Sequence, residues 1–169
     1  MKKTLIIIAI IITIIAINKE EKQIIIPKNS IRFRVIASSN TKKEQDLKKK
    51  IVVNLKNDIK QTSTAVNINE ARNLIIQNLP KFEETIENTL KKEQTFRPFT
   101  ISYGKNYFPE KEYKNVIYKE GEYESLVVTL GDGKGKNFWC VLFPPLCLID
   151  ENSEVEYKSL IKEVLDKYL

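Results

Sequence analysis

Ser30-Ile-Arg-Phe-Arg-Val-Ile-Ala37, followed by Ser38-Ser39-Asn40 and then Thr41-Lys-Lys-Glu44, is the stretch that decides the fold. Ile31, Phe33 and Val35 alternate with Arg32 and Arg34, the period-two pattern of a half-buried strand. Ser38, Ser39 and Asn40 stop it. Thr41 with Glu44 three residues on reads as a capping box, so a helix starts directly after the strand. Leu47, Ile51, Leu55 and Ile59 then recur every four residues and give one apolar stripe through about Lys60.

Downstream, Gln61 to Val66 is a polar connector, and Asn67 or Asn69 opens a second helix carrying Ala71, Leu74, Ile75 and Leu79. Pro80 lacks an N–H and disfavours helical geometry at Leu79, so the helix is expected to break there. A third helix is expected from about Lys81 to Lys92, with Phe82, Ile86 and Leu90 on one face and Pro80 suited to its start. Arg97 to Tyr103, the stretch around Tyr107 to Ile117, and Glu122 to Leu130 are rich in Tyr, Phe, Val and Thr and read as strands. Phe138 to Phe143 is mostly apolar and is expected to be a central strand. A last helix from about Glu154 to Tyr168 aligns Val155, Leu160, Ile161, Val164, Leu165 and Tyr168. The order predicts an α+β domain: a mostly antiparallel sheet of four to five strands with three to four helices on one side.

The composition agrees with one folded domain. Of 169 residues 42% are hydrophobic and 30% charged, with five Gly and six Pro, too apolar for a disordered chain. There is no histidine. That excludes Ser-His and Cys-His nucleophile pairs, His-ligated zinc and a histidine pH switch. Two cysteines cannot build a Cys-only zinc or iron–sulfur site within one chain. No metal or other cofactor is expected.

At the N-terminus, Lys2 and Lys3 precede an apolar run from Leu5 to Ile17 broken only by Thr13. Thirteen helical residues cover about 20 Å of a roughly 30 Å hydrocarbon core, so the run suits a secretory signal better than a full span. The basic residues before it predict the body on the far side of the membrane. Ala16-Ile17-Asn18 is a poor cleavage site, and cleavage and retention as an anchor both stay open. We therefore divide the chain into a signal peptide or anchor over 1–18, a linker over 19–29 and one domain over 30–169. Lys19 to Phe99 holds 17 basic against 10 acidic residues, within a formal net charge of +6 for the chain. Those lysines run round a helix beside Glu44, Asp46 and Asp58, so they read as a solvated face; no nucleic-acid partner is expected of an exported protein.

Three features carry possible chemistry. Gly131-Asp-Gly-Lys-Gly-Lys136 holds three of the five glycines and invites a phosphate-cradle reading. A P-loop needs a helix next, and Phe138-Trp139 look like a strand, so a tight connection between strands is the better reading. Cys140 and Cys147 would be reduced thiols in a cytosolic protein. In an exported one they are the only possible pair, and Pro144-Pro145 can turn the chain so that they meet. The remaining catalytic candidates are Glu120, Glu122, Glu124 and Asp132. Glu122 and Glu124 lie two apart on a strand, hence on one face, as a glycosidase pair would require. Solvent-facing glutamates in a strand are commonplace, and the chain is read as not an enzyme.

The segment Gly121-Glu-Tyr-Glu-Ser-Leu-Val-Val-Thr-Leu-Gly-Asp-Gly-Lys-Gly-Lys-Asn-Phe-Trp-Cys-Val-Leu-Phe-Pro-Pro-Leu-Cys147 resembles the signature of the stage II sporulation protein R family. Ile31 to Asn40, Glu44 to Lys48, Ala71-Arg72, Asn78-Leu79-Pro80, Tyr103-Gly104 and Tyr107-Phe108-Pro109 are similar to its other motifs, in the family's order. Phe138-Trp139 stands where the family usually has two tryptophans, Lys119-Glu120 where it has Pro-Ala, and Arg34 where it often has His. The resemblance implies a protein made in the forespore and exported into the space between the two membranes, or held there by residues 5–17. There it would trigger a membrane aspartic protease of the mother cell that cleaves the precursor of sigma factor E. On that reading Gly131 to Cys147 is the expected contact surface. Trp139, Phe143, Pro144 and Pro145 would be rigid apolar anchors, with Lys134 and Lys136 as a charged rim. The competing readings are an envelope carbohydrate-acting hydrolase using Glu122 and Glu124, and a cell-wall-binding module held by the basic helices.

Overall fold

Strand β2 (Ile31–Ile36) pairs on both edges, with β6 (Gly121–Leu130) in parallel and with β7 (Asn137–Phe143) antiparallel. The computed structural model describes residues 23–114, 116–149 and 154–168. The other elements are β1 (Ile24–Ile25), α1 (Lys42–Thr62), α2 (Ile68–Lys92), β3 (Phe99–Phe108), β4 (Lys111–Tyr113), β5 (Val116–Tyr118), a 3-10 turn (Leu146–Leu148) and α3 (Glu154–Tyr168). A four-stranded sheet has the order β3-β6-β2-β7, and a second sheet has the order β1-β5-β4.

The class is α+β, but both sheets are mixed, not mostly antiparallel: β2 with β6 and β1 with β5 run parallel. Parallel neighbours need a long crossover, and α1, α2 and β3 supply it between β2 and β6. The expected central strand, β7, lies at an edge; β6 and β2 are central. β7 is apolar because each face of the sheet is covered, by different layers.

Ile31, Phe33 and Val35 turn towards α1 and α2, where Ile51, Leu55, Ile75, Phe82, Ile86, Leu126 and Val128 complete one core. On the other face, Ile26, just after β1, and Val116 of β5 meet Val141, Leu146 and, from α3, Tyr157 and Ile161. The helices therefore do not all pack on one side. Ile24 to Ile26, placed in a linker by the sequence reading, belong to this second layer; Ile26 is buried. The apolar run Leu5 to Ile17 lies outside the described residues. Among the described residues no helix is long and apolar enough to cross a membrane.

Thr41 caps α1, its Oγ1 accepting from Glu44 N. The reciprocal arm of a capping box is absent, because the Glu44 carboxylate accepts from Arg97 Nη2 instead. Asn67 caps α2 by accepting from Glu70 N. The expected break at Pro80 does not occur: α2 runs unbroken through it. An interior proline costs about 3 kcal/mol. Ala71, Ile75, Phe82, Ile86 and Leu90 hold one buried stripe in phase across Pro80, and each large side chain stabilises by roughly 1.5–3 kcal/mol on burial. The stripe outweighs the proline, whose ring sits on the exposed face.

Phe82 is fully buried, whereas Val53 on α1 is 59% exposed. Phe82→Ala is expected to lower unfolding stability by about 3–5 kcal/mol, and Val53→Ala to change it by less than about 0.5 kcal/mol. Urea denaturation of both variants checks this; equal effects would mean that α2 does not carry the core.

Candidate functional site

Alternation along β2 sends Arg32 and Arg34 to the face away from α1 and α2. That face is not solvent, as it would be for a sheet with one covered side. Arg32 stands opposite Ser125 of β6 and Val141 of β7 and is only 3% exposed. Its guanidinium carbon lies 4.1 Å from the Tyr123 ring centre and 5.3 Å from that of Tyr118. Two cation–π contacts contribute about 0.5–2 kcal/mol each, against several kcal/mol for taking a guanidinium out of water. The rings thus offset only part of the burial cost. Burial lowers the Arg32 pKa, partly opposed by Tyr123 and Tyr118.

Around Arg32 the aromatics form a connected array. Phe108 meets Tyr123 edge-on at 6.1 Å and Trp139 at 5.1 Å. Trp139 has Arg34 4.7 Å and Lys111 5.4 Å from its ring centre. Tyr157 packs on Tyr113 at 5.9 Å, and its hydroxyl lies 3.1 Å from that of Tyr118. Of these, Phe108, Lys111, Tyr113, Tyr118, Trp139 and Tyr157 line a cleft of about 300 Å³ beside β7, together with Leu146 and Cys147. Its charged lining is Arg32, Lys56, Lys111 and Glu112.

The residues expected to form one contact surface are separated along β7. Lys134 and Lys136 are exposed on the loop before it, and Lys134 Nζ lies 3.5 Å from Asp132 Oδ2. Phe143 is buried against Tyr168, and Pro144 is buried too, so neither is an accessible anchor; Pro145 is half-buried. Seven residues of strand place roughly 20 Å between the lysines and the prolines. Trp139 alone of the expected anchors lines the cleft, beside Cys140 and Cys147. The two cysteines are joined as a disulfide with Cα atoms 5.4 Å apart.

The glycine-rich loop is a connection between strands, and the amides of Gly131, Gly133, Lys134, Gly135 and Lys136 are engaged. Lys134 N and Gly135 N donate to Ser38 O and Ala37 O, at 3.2 and 2.8 Å. Lys136 N donates to Asn40 Oδ1 at 2.7 Å. Lys48, read as part of a solvated face, is buried and donates from Nζ to Lys136 O at 2.8 Å. Gly131 and Gly133 have φ of 54° and 64°, a region that glycine enters at little cost.

Of the candidate carboxylates, Glu124 is engaged by Arg72 and Tyr103. Glu122 and Glu124 share a face of β6, but Glu124 accepts from Arg72 Nε at 2.5 Å, Arg72 Nη2 at 2.8 Å and the Tyr103 hydroxyl at 2.7 Å. Hydrogen bonding from Arg72 is the largest influence and holds its pKa below the ordinary carboxylate value; burial opposes it, and the Tyr103 bond adds to it. A general acid needs the opposite shift. Glu120 accepts from the exposed Tyr107 hydroxyl at 3.0 Å. Among the described residues no group of three His, Cys, Asp or Glu side chains could hold a metal ion.

Arg32, Phe108, Lys111, Tyr113, Tyr118 and Tyr157 escaped the sequence reading. One signal for them existed: Leu126-Val127-Val128 is an unbroken apolar run, the mark of a strand buried on both faces. It implied that the arginine face of the adjacent strand was covered as well.

Because the folded pKa of Glu124 is lowered, its ion pair stabilises the fold above the unfolded value near 4.3, and this contribution is lost as pH falls through the folded value. Glu124→Gln is expected to cost up to about 1 kcal/mol at pH 7 and progressively less below pH 4, measured by urea unfolding. A cost that persisted undiminished at pH 2 would refute the electrostatic account. Replacing both Cys140 and Cys147 by Ser is expected to lower stability by about 2–3 kcal/mol on chain-entropy grounds, read as a fall in Tm against the oxidised protein.

Residues 27–153 match the family described as stage II sporulation protein R. A Bacillus subtilis (strain 168) protein of that description is 35% identical over 158 residues, covering 90% of this chain and 70% of that protein. No solved structure matches the chain.

Proposed function

The chain belongs to the stage II sporulation protein R family, and from that membership we propose that it is an exported signal between the two cells of endospore formation. Its role lies in sporulation, in a family of signalling proteins rather than known enzymes. In the proposed reading the forespore exports the protein into the intermembrane space. There it binds a membrane-embedded aspartic protease of the mother cell, which then cleaves the precursor of sigma factor E. The observation that carries the reading is the family match over residues 27–153. The engagement of Glu124 by Arg72 and Tyr103 favours a ligand over a carboxylate-pair hydrolase.

A ligand activates a receptor only by binding one of its states better than another. Raising an active population from 1% to about 50% needs roughly a hundredfold preference, about 2.7 kcal/mol. A small apolar interface supplies this.

The test is co-expression with the candidate protease and the sigma factor precursor in a host that does not sporulate, with precursor length read by immunoblot. Cleavage should require this chain, be lost on deletion of residues 1–17, and survive the double change Glu122→Gln and Glu124→Gln. Absence of cleavage with all three proteins folded and the chain exported would sink the reading.

A further inference from the structure

β7 pairs with β2 along one side only and ends the four-stranded sheet. In an antiparallel edge strand, alternate residues direct N–H and C=O away from the sheet. Among the described residues, no backbone–backbone hydrogen bond outside the β2 ladder involves Asn137 to Phe143. The chain itself closes the last part of this edge. After Pro144 and Pro145, Leu146 joins the core on one face of the sheet and Cys147 the core on the other. The turn therefore passes over the edge, where the Cys140–Cys147 disulfide ties it down. Val141, Leu142 and Phe143 are buried, whereas Asn137 to Cys140 are only half-buried. The cleft of about 300 Å³ lies at this open stretch. It is lined by the consecutive residues Asn137 to Val141, together with Lys56 of α1 and Lys111 of β4. α1 packs on one face of the sheet, and Trp139 and Lys111 lie on the other. A cleft lined from both faces of a sheet lies beyond its edge.

We propose that the open edge of β7, from Asn137 to Cys140, takes an extended acidic segment of a partner protein as a fifth strand of the sheet. In strand addition the main-chain ladder supplies affinity and the flanking side chains supply selectivity. Four residues offer about 13 Å of ladder. Edge strands are commonly blunted by a lysine, a proline or a bulge within the strand. Asn137-Phe-Trp-Cys140 contains none of these, and the irregularity of the ladder falls beyond it, at Ile31/Arg32. The occupant follows from the charges. Lys56 and Lys111 flank the edge, and neither is in an ion pair among the described residues. Glu112 is the sole acid among the described residues of the lining, and Lys136 stands exposed just before the strand. Two copies meeting edge to edge would bring these lysines together, so the rim that attracts a carboxylate-bearing strand disfavours self-pairing. The inference goes beyond the signalling role and holds whichever partner supplies the strand.

Trp139 is the single tryptophan of the chain and lines the cleft, so its emission reports occupancy. The full chain would be titrated to millimolar concentration with acetyl-Thr-Glu-Val-Glu-Val-Glu-Thr-amide. The controls are the same peptide with Lys in place of Glu, and the acidic peptide methylated at every peptide nitrogen. The acidic peptide should give a saturable change in emission, and both controls should bind at least tenfold more weakly. Hydrogen exchange should slow at Asn137 to Cys140 and stay unchanged along β3, the opposite edge of the sheet. Lys56→Glu combined with Lys111→Glu should reverse the preference between the acidic and basic peptides. If that double variant does not fold by circular dichroism, the three-peptide comparison on the unaltered protein decides. Equal or stronger binding of either control, no saturable response, or protection confined to another segment would overturn the proposal. So would a dimer, seen by sedimentation, that protects Asn137 to Cys140 without peptide.

Discussion

Hydrogen bonding on both edges of β2, with opposite demands on its two faces, is the constraint from which the rest of the molecule follows. The strand is held between β6 and β7, so its side chains can point only towards one layer or the other. Ile31, Phe33 and Val35 need an apolar layer, and α1 and α2 provide it. The parallel pairing with β6 makes that layer obligatory, since a parallel neighbour is reached only by a long connection that packs back on the sheet. The stop at Ser38 to Asn40 and the Thr41 cap then aim α1 across the strand it follows.

The second face is less ordinary. Arg32 and Arg34 would suit water, yet the small sheet and α3 cover part of that surface. The arginines are accommodated by aromatic rings: Tyr118 and Tyr123 around Arg32, Trp139 against Arg34. Arg34 also has the Asn137 side chain. Arg32 has the Tyr118 and Tyr123 rings and a side-chain hydrogen bond to Tyr123, while its Nε and Nη2 are buried without a partner. On the helical side, Arg72, Glu124 and Tyr103 illustrate the conventional solution, a charge pair with every strong donor engaged. The two sides of one sheet thus treat the same chemistry differently.

Much of the architecture was legible from local pattern. The first strand, the Thr41 start, the Asn67 start, the last helix and the glycine-rich connection all rest on neighbours within a few residues, where sterics and capping act. The break expected at Pro80 rested on the same local logic and failed. A proline penalty is local, but the apolar stripe from Ala71 to Leu90 that overrides it acts through packing on the sheet. Strand direction was equally out of reach, because a strand that pairs in parallel carries no local mark of it. The candidate site was legible in one residue, Trp139. Its companions come from β2, β3, β4, β5 and α3, far apart in sequence, and no spacing rule links them.

The amino-acid sequence by itself determined the class, the family motifs, the absence of histidine chemistry and the cysteine pair, because each depends on residue identity or short-range spacing. Only the tertiary structure decided that α2 continues through Pro80, that β7 lies at an edge, that Phe143 is core, and that Arg32 is buried beneath the Tyr118 and Tyr123 rings. Those outcomes depend on which surfaces meet. Burial and hydrogen-bond satisfaction are properties of the folded whole, to which distant segments contribute equally.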